Sequence, residues 1–289
     1  MSLPSPRSSL HRAGATVTFV AVSLALLTAT ASAQSPFDRV QEGWSFFGQN
    51  GQSAEVRVGI GGLIGPDYEG SDDYEASVLP VITARNVFGF NFTPFAISYN
   101  LAEYNAPGGI WGVSFGPRVA ADFGRDQDDN AALAGLGDVD AAIMPGGFVN
   151  WRLGPVVAGM TVGQDVAGGH EGLVADFSLS TRVPITHQVV VIPGLSASWA
   201  DDDYMQSYFG VTAAQAGTSA YTAFDANGGF KSIGASLTAI YAINENWAAN
   251  ASLGYERLLG DAADSPLVDG QGSANQASVM LGVTRAFNF

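Results

Sequence analysis

Three aspartates, Asp201, Asp202 and Asp203, stand directly before Tyr204, Met205, Tyr208 and Phe209 in the stretch WADDDYMQSYFG. Clustered carboxylates suit a hard divalent cation, a basic patch on another molecule, or simple contact with water. A calcium loop needs alternating ligands and a turn glycine, as in D-x-D-x-D-G. DDDYMQ has neither, so no metal site is assigned. Aromatics and a methionine beside the charges have the composition of a recognition surface, which makes this stretch a candidate partner-contact loop. The bland alternative is a solvated strand exit: three adjacent charges in lipid would cost ~2.5–3.5 kcal/mol each, so they mark where the chain leaves a bilayer.

The second place where chemistry could reside is AGGHEG, with His170 next to Glu171. On a strand these neighbours would point to opposite faces, so they can meet only in a loop. His187 lies in a short turn, and no G-x-S-x-G element is present. No catalytic residue and no cofactor is assigned, and a lipid hydrolase on a barrel rim is the weakest of the functional readings.

The elements that would position these residues read as β-strands. In IWGVSFGPRVAADF, Trp111, Val113, Phe115, Val119, Ala121 and Phe123 share one phase, with Gly112, Ser114, Gly116, Arg118 and Asp122 in the other. LVADFSLSTRV, SIGASLTAIYAI and NWAANASLGYE alternate in the same way. Period two marks strands with one apolar face. Strands of ~10 residues, a second face of Gly, Ser, Thr and Asn, and aromatics toward strand ends favour a transmembrane barrel over a soluble sandwich. The fold expected is an all-β, antiparallel up-and-down barrel of about 12 strands, with ten as the alternative.

The count rests on eleven segments between Glu55 and Phe289. An odd number would leave the two ends on opposite sides of the membrane. The twelfth strand lies either around WSFFG (44–48) or in a wrong division of FGFNFTPFAISYNL (88–101). The loop GPDYEGSDDY changes sides between the two counts and is not placed by the sequence. Inward candidates Arg57, Arg118, Asp122, Asp176, Arg182 and Glu256 carry both signs. They would either pair across the lumen or line a small polar pore.

The N-terminus has a basic start with Arg7 and Arg12, a short apolar run, and Ala31-Ser32-Ala33 before Gln34. This is the pattern of a secretory signal peptide over residues 1–33. Residues 34–54 then form a periplasmic segment or a first strand, and 55–289 the barrel. Loss of Arg7 and Arg12 takes the formal charge from −15 to −17, which argues against a nucleic-acid partner. With no cysteine there is no disulfide framework. The last strand, VMLGVTRAFNF, ends with Phe287 and Phe289 in its apolar phase, as a signal to the barrel assembly machinery would. Arg285 shares that lipid-facing phase, so either it snorkels to the headgroups or the strand bulges there.

GPDYEGSDDY, GLGDVDA, DVAGGHEGLVADFSLS, WADDDYMQSYFGV and RLLGDAADSPLV together resemble successive blocks of the MipA/OmpV family. The resemblance runs in order from about residue 56 to Phe289. It implies a barrel of the bacterial outer membrane, in contact with outer-membrane lipid. It also implies a scaffold role, linking a murein hydrolase (a lytic transglycosylase) to a murein synthase in the periplasm. Other members are adhesins or stress-responsive proteins, so an adhesin or a small-solute channel is the alternative. The family offers no active site to carry over.

Overall fold

A computed structural model describes residues 54–288 and, for the backbone, 43–46. The signal peptide expected over residues 1–33 and Phe289 of the expected assembly signal lie outside the described residues. In chain order the strands are β1 (Gly43–Phe46), β2 (Glu55–Pro66), β3 (Tyr74–Val87), β4 (Phe90–Thr93), β5 (Ala96–Tyr99), β6 (Ala102–Asn105), β7 (Trp111–Asp122), β8 (Ala142–Leu153), β9 (Val156–Gln164), β10 (Leu173–Thr181), β11 (Val183–Pro184), β12 (Val189–Ala200), β13 (Gly229–Ala242), β14 (Trp247–Leu258) and β15 (Asn275–Asn288). Four short helices follow the later long strands: α1 (Asp202–Phe209), α2 (Ala213–Ala216), α3 (Gly260–Asp264) and α4 (Pro266–Gln271).

β5 and β6 both pair with β7, and β10 and β11 both pair with β12, so each pair is a single strand with a break. Counted so, twelve antiparallel strands form a ring that closes where β15 meets β2. The count of twelve holds, and both suspected sources of the missing strand contribute. Residues 88–101 divide into the β4–β5 hairpin, which supplies the twelfth ring position. WSFFG overlaps β1, which pairs with β6 beside the shortened β4.

Long connections (67–73, 123–141, 165–172, 201–228 and 259–274) gather at one end. Short ones (88–89, 106–110, 154–155, 185–188 and 243–246) lie at the other, and only the 94–95 turn of the short β4–β5 hairpin points the opposite way. In bacterial barrels the short turns are periplasmic and the long loops outside. GPDYEGSDDY therefore joins β2 to β3 at the outer end.

Side chains of the apolar phase, such as Ile60, Val78, Leu237, Leu253 and Leu281, point outward and are exposed. In water so much contiguous apolar surface would aggregate, and against lipid it is the solvent-facing side. Arg285 stays in that outward phase. The β14–β15 and β15–β2 registers run through it unbroken, pairing it with Trp247 and Val58. Its guanidinium lies over the rings of Trp247 and Phe287, at 5.9 and 4.9 Å from their centres. The bulge alternative is thus wrong, and aromatic faces near the periplasmic end receive the charge instead.

Proline cannot donate to a ladder, and the strand prolines fall where a ladder stops. Pro80 lies in the stretch of β3 that has no β4 partner, since that pairing begins at Ala84. Pro117 lies opposite the break between β5 and β6. Pro145 precedes the first β8–β9 pair, Gly146 with Gly163. Pro193 lies opposite the break between β10 and β11.

Candidate functional site

The outer mouth of the barrel is filled by the segment that carries the three aspartates. Asp201 does leave strand β12, but into a helix. Its Oδ1 accepts the Tyr204 N–H at 3.1 Å and caps α1, with Asp202 and Asp203 in the first turn. Carboxylates there meet unpaired N–H groups and the positive end of the helix dipole, which is why the run DDD starts a helix. Gly172 makes room for this start: a Cβ at that position would fall 2.6 Å from Tyr204 Cβ and 2.7 Å from Asp201 Oδ1.

The apolar side of α1 turns into the mouth. Tyr204, Met205, Tyr208 and Phe209 are buried against Ala200, Ala226, Leu258, Ala262 and Val268. The sequence reading placed these aromatics on an exposed recognition surface, and the structure buries them. The physical reason is that tilted strands leave a wide mouth with an apolar upper wall, and an eight-residue helix covers it. What the segment offers to solvent is its carboxylates.

Beneath α1 lies a polar network. Lys231 forms a buried ion pair with Glu69, whose other oxygen accepts the Tyr204 hydroxyl at 3.1 Å. Tyr208 donates its hydroxyl to Asp122 at 3.1 Å, and Arg125 donates to the Tyr208 carbonyl at 2.8 Å. Burial, and then Asp122, pushes the Tyr208 hydroxyl pKa well up, so it stays protonated and donating. Lys231 reaches inward because of a bulge. Trp199 pairs with Phe230 and Ser198 with Ser232, leaving Lys231 as the extra residue.

His170, 2% exposed, braces the same region. Its Nδ1 accepts the Gly172 N–H at 3.0 Å, which puts the ring proton on Nε2. The ring sits edge-to-face with Tyr204 at 4.9 Å. Burial lowers its pKa against the pull of Asp122, Asp165 and Asp201, so the ring is neutral. Asp165 accepts the N–H groups of Ala167, His170 and Glu171 at 2.8, 3.0 and 2.9 Å. Burial works against its charge, but these donors outweigh it and hold the carboxyl below its usual range. Glu171 has a left-handed φ of 55°. Among the described residues no hydrogen bond joins its side chain to His170, and no group of three or more His, Asp and Glu is set to hold a metal. His187 lies in the turn after β11, at the far end of the barrel.

All six inward candidates face the lumen. Arg57 is bound through Nε and Nη2 to Glu55 at 2.9 and 3.1 Å. Asp176 accepts from Ser198 at 2.8 Å, and Arg118 lies within electrostatic reach of it. Sequence reasoning missed Glu69, Arg125, Asp165 and Lys231. Glu69 sits inside a quoted block, but its partner is 162 residues away and its contact depends on a bulge.

These features make one prediction for the aspartates. Asp201→Asn is expected to leave stability nearly unchanged, because asparagine caps a helix as well as aspartate. Asp201→Ala should cost ~1 kcal/mol and loosen α1. Urea unfolding of the detergent-folded barrel measures both, and equal losses would refute the capping role.

A closed antiparallel barrel with an apolar outer face, a polar lumen and alternating short and long connections defines a β-barrel protein of the bacterial outer membrane. The family described as MltA-interacting protein MipA matches residues 58–287, and the chain belongs to that family. The outer membrane protein OmpV of Vibrio cholerae is 37% identical over 100 residues, 34% of this chain and 36% of OmpV. Omp26La of Vibrio anguillarum is 28% identical over 165 residues, 57% of this chain and 61% of the relative. YiaT of Escherichia coli (strain K12) is 28% identical over 152 residues, 51% and 59% of the two chains. The chain thus spans less than two thirds of the length of the curated relatives it matches. Among solved structures, OmpT of Vibrio cholerae aligns over 81% of this chain and 97% of its own, at 8% identity and a TM-score of 0.39. That likeness is too distant to bear on function.

Proposed function

We propose that this barrel is an interaction scaffold of the cell envelope, whose periplasmic rim docks a murein lytic transglycosylase and, through it, a murein synthase. The family's description as MltA-interacting suggests the partner class. The observation that carries the reading is the rim itself. Each short turn, or the strand end beside it, carries a large exposed apolar side chain: Phe88, Ile110, Leu153, Ile185 and Ile243. Phe88 is 90% exposed. It also holds a φ of 55°, a region that costs a bulky residue ~1–3 kcal/mol. A turn serving only to reverse the chain would be better served by glycine. At the other end α1 fills the mouth, which favours a binding role over free diffusion of solutes.

Phe88→Gly combined with Ile110→Ser is expected to leave the barrel folded, with heat-modifiable migration intact. Phe88→Gly by itself should hold or raise stability, since it relieves the left-handed strain. Capture of purified murein transglycosylase from detergent solution, read by murein hydrolysis on the beads, should fall at least tenfold in the double variant. Undiminished hydrolysis on beads carrying the double variant would refute a rim-based scaffold.

A further inference from the structure

The lipid-facing wall is not even. In the outward phase of β13 and β14 stand Ala239, Ala249 and Ala251, all half-buried. The ladders place them between larger side chains. Val283, Ala249 and Tyr241 form one row across the wall, and Leu281, Ala251 and Ala239 the next. Leu281, Val283 and Tyr241 are exposed and stand proud of the alanines. The result is an open groove of about 550 Å³, within the ~300–1,000 Å³ of ordinary ligand sites. Its floor is alanine and its sides are aliphatic and aromatic.

Both ends of the groove are defined. The exposed pair Leu237 and Leu253 closes it toward the middle of the wall. Trp247 and Arg285, paired one outward row below Ala249 and Val283, close it at the periplasmic end. From Trp247 to Leu253 the strand rises ~20 Å, or ~15 Å along the bilayer normal at a tilt of ~40°. That is half of a hydrocarbon core of ~30 Å, so the groove spans one leaflet. Among the described residues two cations stand in the outward phase here, at opposite ends of the β14–β15 pair. Arg257, at the outer end, donates to Asn275 at 2.8 Å. Arg285 lies over the rings of Trp247 and Phe287, and among the described residues no carboxylate forms an ion pair with it. Ring quadrupoles attract a cation but do not neutralise it. A full positive charge therefore stands at headgroup level, directly below an apolar groove one leaflet long.

We propose that this groove holds one glycerophospholipid of the periplasmic leaflet, its phosphodiester on Arg285 and an acyl chain along Ala249 and Ala251. The occupant follows from charge and length together. A guanidinium fork matches the paired oxygens of a phosphodiester, and it meets them at the depth where that leaflet keeps its phosphates. Trp247 and Phe287 hold the guanidinium at that level instead of letting it swing into the periplasm. An acyl chain in the trough gains contact on its floor and both sides, whereas a chain on a ridge touches protein on one side only. Glu245 is exposed in the turn that leads into Trp247, so the headgroup end carries both signs. A zwitterionic amine headgroup has the same pair of charges. The site lies on the lipid face and is independent of what docks at the rim.

The test uses the full chain folded in detergent and titrated with phosphatidylethanolamine, with bound lipid counted by native mass spectrometry. One saturable adduct per barrel is expected. Arg285→Gln should weaken it at least fivefold. Ala249→Leu with Ala251→Leu fills the trough with side chains that suit lipid, and should weaken it as much while the barrel stays folded. This second variant carries the test should Arg285→Gln fail to fold. Arg257→Gln, at the other end of the same strand pair, is expected to leave the adduct unchanged. Absence of a saturable adduct, unchanged affinity in the folded variants, or an equal loss in Arg257→Gln would overturn the proposal. So would a barrel dimer that the two leucines disrupt, which would assign the groove to a second copy of the chain.

Discussion

Lys231→Ala is expected to destabilise the folded barrel by ~3–5 kcal/mol, the usual cost of leaving one member of a buried ion pair without its partner. Glu69 would then sit buried at the mouth without its ion-pair partner, keeping the Tyr204 hydroxyl as a hydrogen-bond donor. The loss should propagate, because Glu69 joins the 67–73 loop to α1 through Tyr204 and to β13 through Lys231. α1 is therefore expected to come loose before the barrel wall does. Pairing Glu69→Gln with Lys231→Met removes both charges and should recover much of the loss, since the remaining groups are neutral and the methionine keeps the packing volume. Urea unfolding into lipid vesicles, with limited proteolysis of the 201–228 segment, measures both effects. A loss below 1 kcal/mol for Lys231→Ala would show that the pair is solvated and does not organise the mouth.

Leu237→Arg should cost ~2–4 kcal/mol, because Leu237 lies near the middle of β13 on the exposed apolar face and arginine there enters hydrocarbon. Ser236 is its neighbour in the opposite phase. It pairs with Gly194 on one side and Gly254 on the other, so a long side chain at that position has small neighbours and a polar lumen. Ser236→Arg is therefore expected to cost clearly less. The contrast between adjacent positions is the measurement, made by reversible folding in vesicles. Equal losses would mean that the lumen is packed as tightly as the lipid face is apolar.

The sequence by itself determined the wall. Alternation at period two is a local property: Leu237, Ala239 and Tyr241 announce a lipid face without reference to any other strand. Strand length, the outward phase and the aromatic ends follow from the bilayer, whose thickness and apolarity act on every strand alike. Even the ladder breaks are local in this sense, since Pro80, Pro117, Pro145 and Pro193 each forbid a bond where they stand.

Tertiary structure alone decided what the wall encloses. Asp201–Asp203 read as a solvated strand exit beside a candidate contact surface, and only the apolar mouth beneath them makes them a helix start and turns Tyr204, Met205, Tyr208 and Phe209 inward. Lys231 reaches Glu69 because one extra residue in β13 shifts the register, and no local pattern encodes which strand bulges. Tyr208 and Asp122 are 86 residues apart and come from different elements, so their hydrogen bond depends on ring closure and on the stagger of twelve strands. The position of the 67–73 loop depended in the same way on the parity of that count. Periodicity shows which face a residue takes, but what it meets across a lumen is set by closure, a property of the whole chain.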